Sequence, residues 1–139
     1  MLQKVIVDTS VLVASIDQSE RHHTWVVQQL EQMEPPLLTC EAVISETWFL
    51  LGRVRGAREA FLPYLEQEQL QVVFSLESEI ASVLALMKRY ESVPASLADA
   101  ELVRMAELYP RSSVFTLDSD FQIYRKYRDI PIPLIFPSV

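Results

Sequence analysis

The chain has 139 residues, half of them apolar and 22% charged. This suits one domain over residues 1–139 with a real core, and it excludes a disordered polar tract. The net charge of −7 argues against a nucleic-acid binder that works through a basic surface. Phosphates would instead need a local site, such as a cation held in an acidic pocket. The lone Cys40 excludes an internal disulfide framework and a thiolate zinc cage. The opening apolar run is too short for a signal peptide, and no stretch approaches the roughly 20 apolar residues of a membrane span. A cytoplasmic protein is expected.

In chain order, the β-branched, apolar residues 4–8 predict a buried strand, followed by a short helix over 9–16. A second helix is expected over 22–33, stopped by Pro35-Pro36 because proline cannot continue it. Residues 37–40 form the next strand. Residues 41–55 read as a helix with Ile44, Trp48 and Leu51 at i, i+4 and i+7, ended by Gly56. A helix over 57–67 follows, with Pro63 expected to kink or break it. Then come a strand over 69–74, helices over 77–90 and 96–108, a strand over 113–117, a short helix over 119–127 and a last strand over 132–136. Pro131 and Pro133 mark that last strand as an edge. Strands alternating with helices argue for an α/β fold, a parallel sheet covered on both faces. Gly52 and Gly56 are the only glycines, which excludes a Gly-rich phosphate loop.

Four acids occupy unusual positions. Asp8 and Asp118 directly follow predicted strands, and open α/β sheets bind ligands at the carboxyl ends of their strands. Each also suits a helix cap. Glu46 shares a helix face with Val43 and Leu50, and Asp99 shares one with Leu102, Val103 and Ala106, so together they read as acids on inward helix faces; Glu46 taken alone reads as a partly exposed residue at the stripe's edge. Ser96-Leu-Ala-Asp99 has the form of a partial capping box, so Asp99 too has a structural role available. Carboxylates crowded together repel: one pair about 4 Å apart costs roughly 4 kcal/mol at an effective dielectric near 20. A cation would offset this, and oxygen-only ligands select Mg²⁺, Mn²⁺ or Ca²⁺. Water activated there would attack a phosphodiester.

The run Val5-Ile-Val-Asp8-Thr9-Ser10-Val-Leu-Val-Ala14, then Ile44-Ser-Glu46, Leu97-Ala-Asp99-Ala100 and Phe115-Thr116-Leu-Asp118-Ser-Asp120-Phe121 resemble, in order, the PIN-domain family of metal-dependent ribonucleases. The size is similar to that of the compact VapC-type toxins. The resemblance implies a three-layer α/β/α sandwich with a central parallel sheet. It implies a Mg²⁺ or Mn²⁺ site formed by Asp8, Glu46, Asp99 and Asp118, with RNA as substrate. Thr9 or Ser10 would orient Asp8 or hold the metal's water, and Thr116 would support Asp118. Asp120 competes as the fourth acid. A homodimer and a cognate antitoxin are implied as partners. A non-catalytic interaction protein on the same fold is the alternative function.

Arg53, Arg55 and Arg58 cluster around Gly56, either as a solvated helix face or as phosphate contacts. Lys88-Arg89 and Arg125-Lys126 with Arg128 are weaker candidates of the same kind. His22 and His23 are adjacent, which is not the spacing of a zinc pair on a helix. Cys40 and Trp48 read as core, and Trp25 and Phe49 as core or dimer packing. A phosphoacceptor receiver domain needs an aspartate after its third strand, where Val72-Val-Phe-Ser-Leu-Glu77 has none. A haloacid-dehalogenase phosphatase needs a second acid where Ser10 stands.

Overall fold

The computed structural model describes residues 3–138. The first two residues, part of the start read as too short for a signal peptide, lie outside them. The chain runs β1 (Lys4–Val7), α1 (Thr9–Ile16), α2 (His23–Glu31), β2 (Leu37–Thr39), α3 (Glu41–Leu51), α4 (Ala57–Glu66) and β3 (Leu70–Val72). Then follow α5 (Leu76–Arg89), α6 (Leu97–Leu108), β4 (Ser112–Phe115), a 3₁₀ turn (Ser119–Gln122), β5 (Arg125–Lys126), β6 (Ile130–Pro131) and β7 (Leu134–Ile135).

Five strands form one parallel sheet in the order β3-β2-β1-β4-β7. In β2 and β4 every residue is buried. Successive strand side chains point to opposite faces, so both faces of the sheet must be covered. This is the α/β three-layer sandwich. Strand β7 is an edge, as Pro133 requires, while Pro131 belongs to a separate antiparallel hairpin of β5 and β6. Among the described residues no helix is long and apolar enough to cross a membrane.

Several expectations are corrected. Helix α3 ends at Leu51, not near Gly56, and its buried stripe is Val43, Thr47 and Leu51. Thr47 fits there because its hydroxyl donates to the Val43 carbonyl at 2.7 Å. The stripe is therefore rotated from the expected one, and Trp48 is 41% exposed instead of core. Gly56 starts α4, with a left-handed φ of 76° that a side chain would strain. Pro63 neither breaks nor ends α4; the helix runs through it, with Phe61 fully buried beneath. The helix expected over 119–127 is one 3₁₀ turn followed by the hairpin, whose loop places Tyr127 and Arg128 at positive φ.

Candidate functional site

Strands β1 and β4 are parallel neighbours, with Val7 opposite Phe115. Their carboxyl ends therefore coincide, and the residues that follow them meet. Asp8 caps α1, its Oδ1 accepting the Thr9 N–H at 2.7 Å. Its Oδ2 accepts from the Thr116 hydroxyl at 2.7 Å and the Ser10 hydroxyl at 3.1 Å. Thr116 also accepts the Asp118 N–H at 3.0 Å, and Ser10 accepts the Leu117 N–H at 3.0 Å. These two hydroxyls thus tie the end of β4 to the carboxylate that follows β1.

Glu46 is exposed rather than turned inward, which corrects the expectation of an inward helix face. Its Oε1 still accepts from the Thr9 hydroxyl at 2.8 Å, one residue from Asp8. Asp99 is half-buried at the start of α6. It completes the capping box with Ser96: its N–H donates to Ser96 Oγ at 3.0 Å, and its Oδ2 accepts the Ser96 N–H at 3.1 Å. Aspartate, one methylene shorter than glutamate, closes this box. Asp118 caps the 3₁₀ turn, its Oδ1 accepting the Asp120 N–H at 2.9 Å. Both helix-cap readings of the strand-end acids are therefore real, and they coexist with the shared location.

The acids interact electrostatically. Burial lifts the Asp8 carboxyl from 3.8 to about 6; the Thr116 hydrogen bond opposes this and the Asp99 charge adds to it. Burial likewise raises Asp99, opposed by its hydrogen bonds to Ser96 and Tyr124 and aided by the Asp118 charge. Asp99 is thus coupled to both strand-end acids.

Among the described residues no three His, Cys, Asp or Glu side chains converge closely enough to hold one metal ion directly. The donor set nevertheless suits a hydrated hard cation, since Mg²⁺ usually takes one or two carboxylates and keeps several waters. Glu46 Oε2, Asp99 Oδ1 and Asp118 Oδ2 accept no hydrogen bond from a described residue. Asp99 Oδ1 and Asp118 Oδ2 are not buried without a partner, so solvent reaches both, and Glu46 is itself an exposed residue. Each of these acids offers one oxygen outward while its other oxygen is held by the protein.

The remaining candidates are dispersed. Arg58 donates from Nε to the Trp48 carbonyl at 2.7 Å and lies 5.0 Å from the centre of the Trp48 ring, sealing the end of α3. A Cβ on Gly52 would meet this guanidinium at 2.5 Å, so any larger residue there would require the Arg58 side chain to shift. Arg53 and Arg55 are exposed. Lys126 is buried with its ammonium 3.4 Å from the Pro110 carbonyl, which removes it from a phosphate-binding surface. His23 Nδ1 is 2.6 Å from the Ala14 carbonyl and serves the end of α1. Cys40 is fully buried, and Trp25 packs edge-on against Phe115.

One residue at the site was not singled out from the sequence. Tyr124 is fully buried, and its hydroxyl donates to Asp99 Oδ2 at 3.2 Å. The only signal was Phe121-Gln-Ile-Tyr124 directly after the acidic turn, a pattern indistinguishable from ordinary core aromatics.

Comparison with known proteins identifies the family to which this fold belongs. The PIN domain family model matches residues 5–127. Ribonuclease VapC26 of Mycobacterium tuberculosis (strain ATCC 25618 / H37Rv) is 27% identical over 116 residues, covering 82% of this chain and 86% of that protein. The crystal structure of Mycobacterium tuberculosis VapC20, a sarcin-ricin loop cleaving toxin, superposes with a TM-score of 0.77 at 20% identity. That match covers 86% of this chain and 94% of the other, and it supports the shared fold. The chain belongs to the PIN-domain family and is related to the VapC-type toxin ribonucleases.

Proposed function

We propose that the protein is a Mg²⁺- or Mn²⁺-dependent endoribonuclease whose site is formed by Asp8, Glu46, Asp99 and Asp118. The observation that carries this reading is the acidic rim at the ends of β1 and β4. There each of Glu46, Asp99 and Asp118 keeps one oxygen without a partner among the described residues. The cation, when bound, supplies positive charge to the scissile phosphate and acidifies the attacking water. The protein's own residues do the rest. Ser10 and Thr116 fix the Asp8 carboxylate, and Thr9 holds Glu46 beside it. Ser96 holds Asp99, and the Asp120 N–H holds Asp118. The water oxygen bonds to phosphorus while one carboxylate takes its proton; the P–O bond to the leaving ribose breaks, and the leaving oxygen takes a proton from solvent. We assign the fourth place to Asp118, because its charge acts on Asp99, and a supporting place to Asp120.

Exposed Arg53 and Arg55 remain the candidates for phosphate contact; Arg58 is committed to α3. We extend the reading, on the resemblance to VapC-type toxins alone, to a homodimer and a cognate antitoxin as partners. The test is cleavage of RNA by the inhibitor-free protein with Mn²⁺ or Mg²⁺, compared with Asp8→Asn and Asp99→Asn. Cleavage that needs the metal and is lost in both variants is expected. Wild-type protein that cleaves no RNA with either metal, or variants as active as wild type, would overturn the reading.

A further inference from the structure

Tyr124 joins two parts of the site that are distant in sequence. Its backbone N–H donates to the Asp120 carbonyl at 3.2 Å, so it is anchored in the turn that carries Asp118. Its hydroxyl reaches Asp99 on α6. The ring is gripped edge-on by Tyr90 and Phe121, with centroids 5.0 and 5.1 Å away. The phenol therefore has little freedom to follow a moving carboxylate.

The consequence lies in how Asp99 is held. Both of its acceptor contacts, from Ser96 and from Tyr124, fall on Oδ2. The terminal torsion of aspartate is broad and rotates easily. The Ser96 N–H belongs to the same helix start and only ties the carboxylate to its own turn. Tyr124 adds a second direction, referred to the Asp118 turn, and so stops the carboxylate from rotating. Oδ1 is left as the outward oxygen.

We propose that Tyr124 is a positioning residue that orients the Asp99 carboxylate towards the cation and sets its distance from Asp118. This rests on the metal-dependent nuclease reading above. Partners that orient metal ligands from behind typically govern affinity by about 10- to 100-fold.

Tyr124→Phe keeps the ring and both edge contacts and removes only the hydroxyl. Tyr90→Phe removes a hydroxyl from the same aromatic cluster without touching Asp99. Mn²⁺ affinity is measured by electron paramagnetic resonance of the free ion, beside the Mn²⁺ dependence of RNA cleavage and the melting temperature without metal. The expected result is Mn²⁺ binding weakened about tenfold or more in Tyr124→Phe and little changed in Tyr90→Phe. Cleavage by Tyr124→Phe should recover at high Mn²⁺, with KM for RNA unchanged. Mn²⁺ affinity in Tyr124→Phe equal to or above wild type, or equal losses in the two variants, would overturn the proposal. If wild-type protein binds no Mn²⁺, or binds it as well with Asp99→Asn, the nuclease reading itself falls. Loss of binding in Asp99→Asn with Tyr124→Phe unaffected sinks the role of Tyr124 alone.

Discussion

Asp8→Asn should stabilise the metal-free protein while it abolishes cleavage. Asp8 is 5% exposed, and its carboxyl is lifted from 3.8 to about 6, chiefly by burial. Between those two values the folded chain binds a proton that the unfolded chain has lost, so stability falls as pH rises through this window. Above it, the folded protein carries a buried negative charge. At 1.36 kcal/mol per pH unit, the rise from 3.8 to about 6 corresponds to about 3 kcal/mol of lost stability. Asparagine removes that charge. Its oxygen can still accept the Thr9 N–H, and its amide must then donate to the Ser10 and Thr116 hydroxyls. Those hydroxyls already accept the Leu117 and Asp118 N–H groups, which leaves each one lone pair. Allowing about 1 kcal/mol for this poorer fit, the variant should exceed wild type by about 2 kcal/mol at about pH 7.5. The advantage should vanish near pH 4.5, where wild-type Asp8 is protonated. Urea denaturation of both proteins in EDTA, at several pH values, measures the difference. A difference that does not change with pH, or a variant less stable than wild type near pH 7.5, would refute the reasoning. Mn²⁺ should reverse the order by stabilising wild type only.

Gly56→Ala should cost about 1–2 kcal/mol in denaturation, because a Cβ there meets nothing within 4 Å and only the backbone at φ 76° objects. Ser96→Ala loses the cap on the Asp99 N–H and should lower stability by about 1 kcal/mol, measured in the same way. Asp118→Asn should reduce RNA cleavage by at least the roughly 10- to 100-fold that loss of an outer-shell partner costs, and Asp120→Asn should reduce it far less, since it is the Asp118 charge that acts on Asp99. Equal losses in single-turnover assays would remove the preference for Asp118.

The alternation of strands and helices was legible because it rests on local patterns. β-branched runs make buried strands, and proline and capping residues bound helices. Asp8 and Asp118 could be placed at strand ends on that basis, and Ser96 could be matched with Asp99. The hairpin of β5 and β6 was not legible, since two-residue strands are too short to show a period. Nor was the rotation of α3. Ile44, Trp48 and Leu51 form an apolar stripe as good as the buried one, and hydropathy does not reveal that a threonine can bury its hydroxyl against its own helix.

What the amino-acid order determines by itself is therefore which residues follow strands and which cap helices. Which strand lies beside which is decided only by the folded sheet, where β1 takes β2 on one side and β4 on the other. That choice brings Thr116 to Asp8 across 108 positions of sequence. It also leaves Glu46 at the surface, tethered through Thr9, and brings Tyr124 to Asp99. Periodicity records that a side chain faces inward. The partner it meets depends on strand order and register, which are set by the packing of the whole sheet at once.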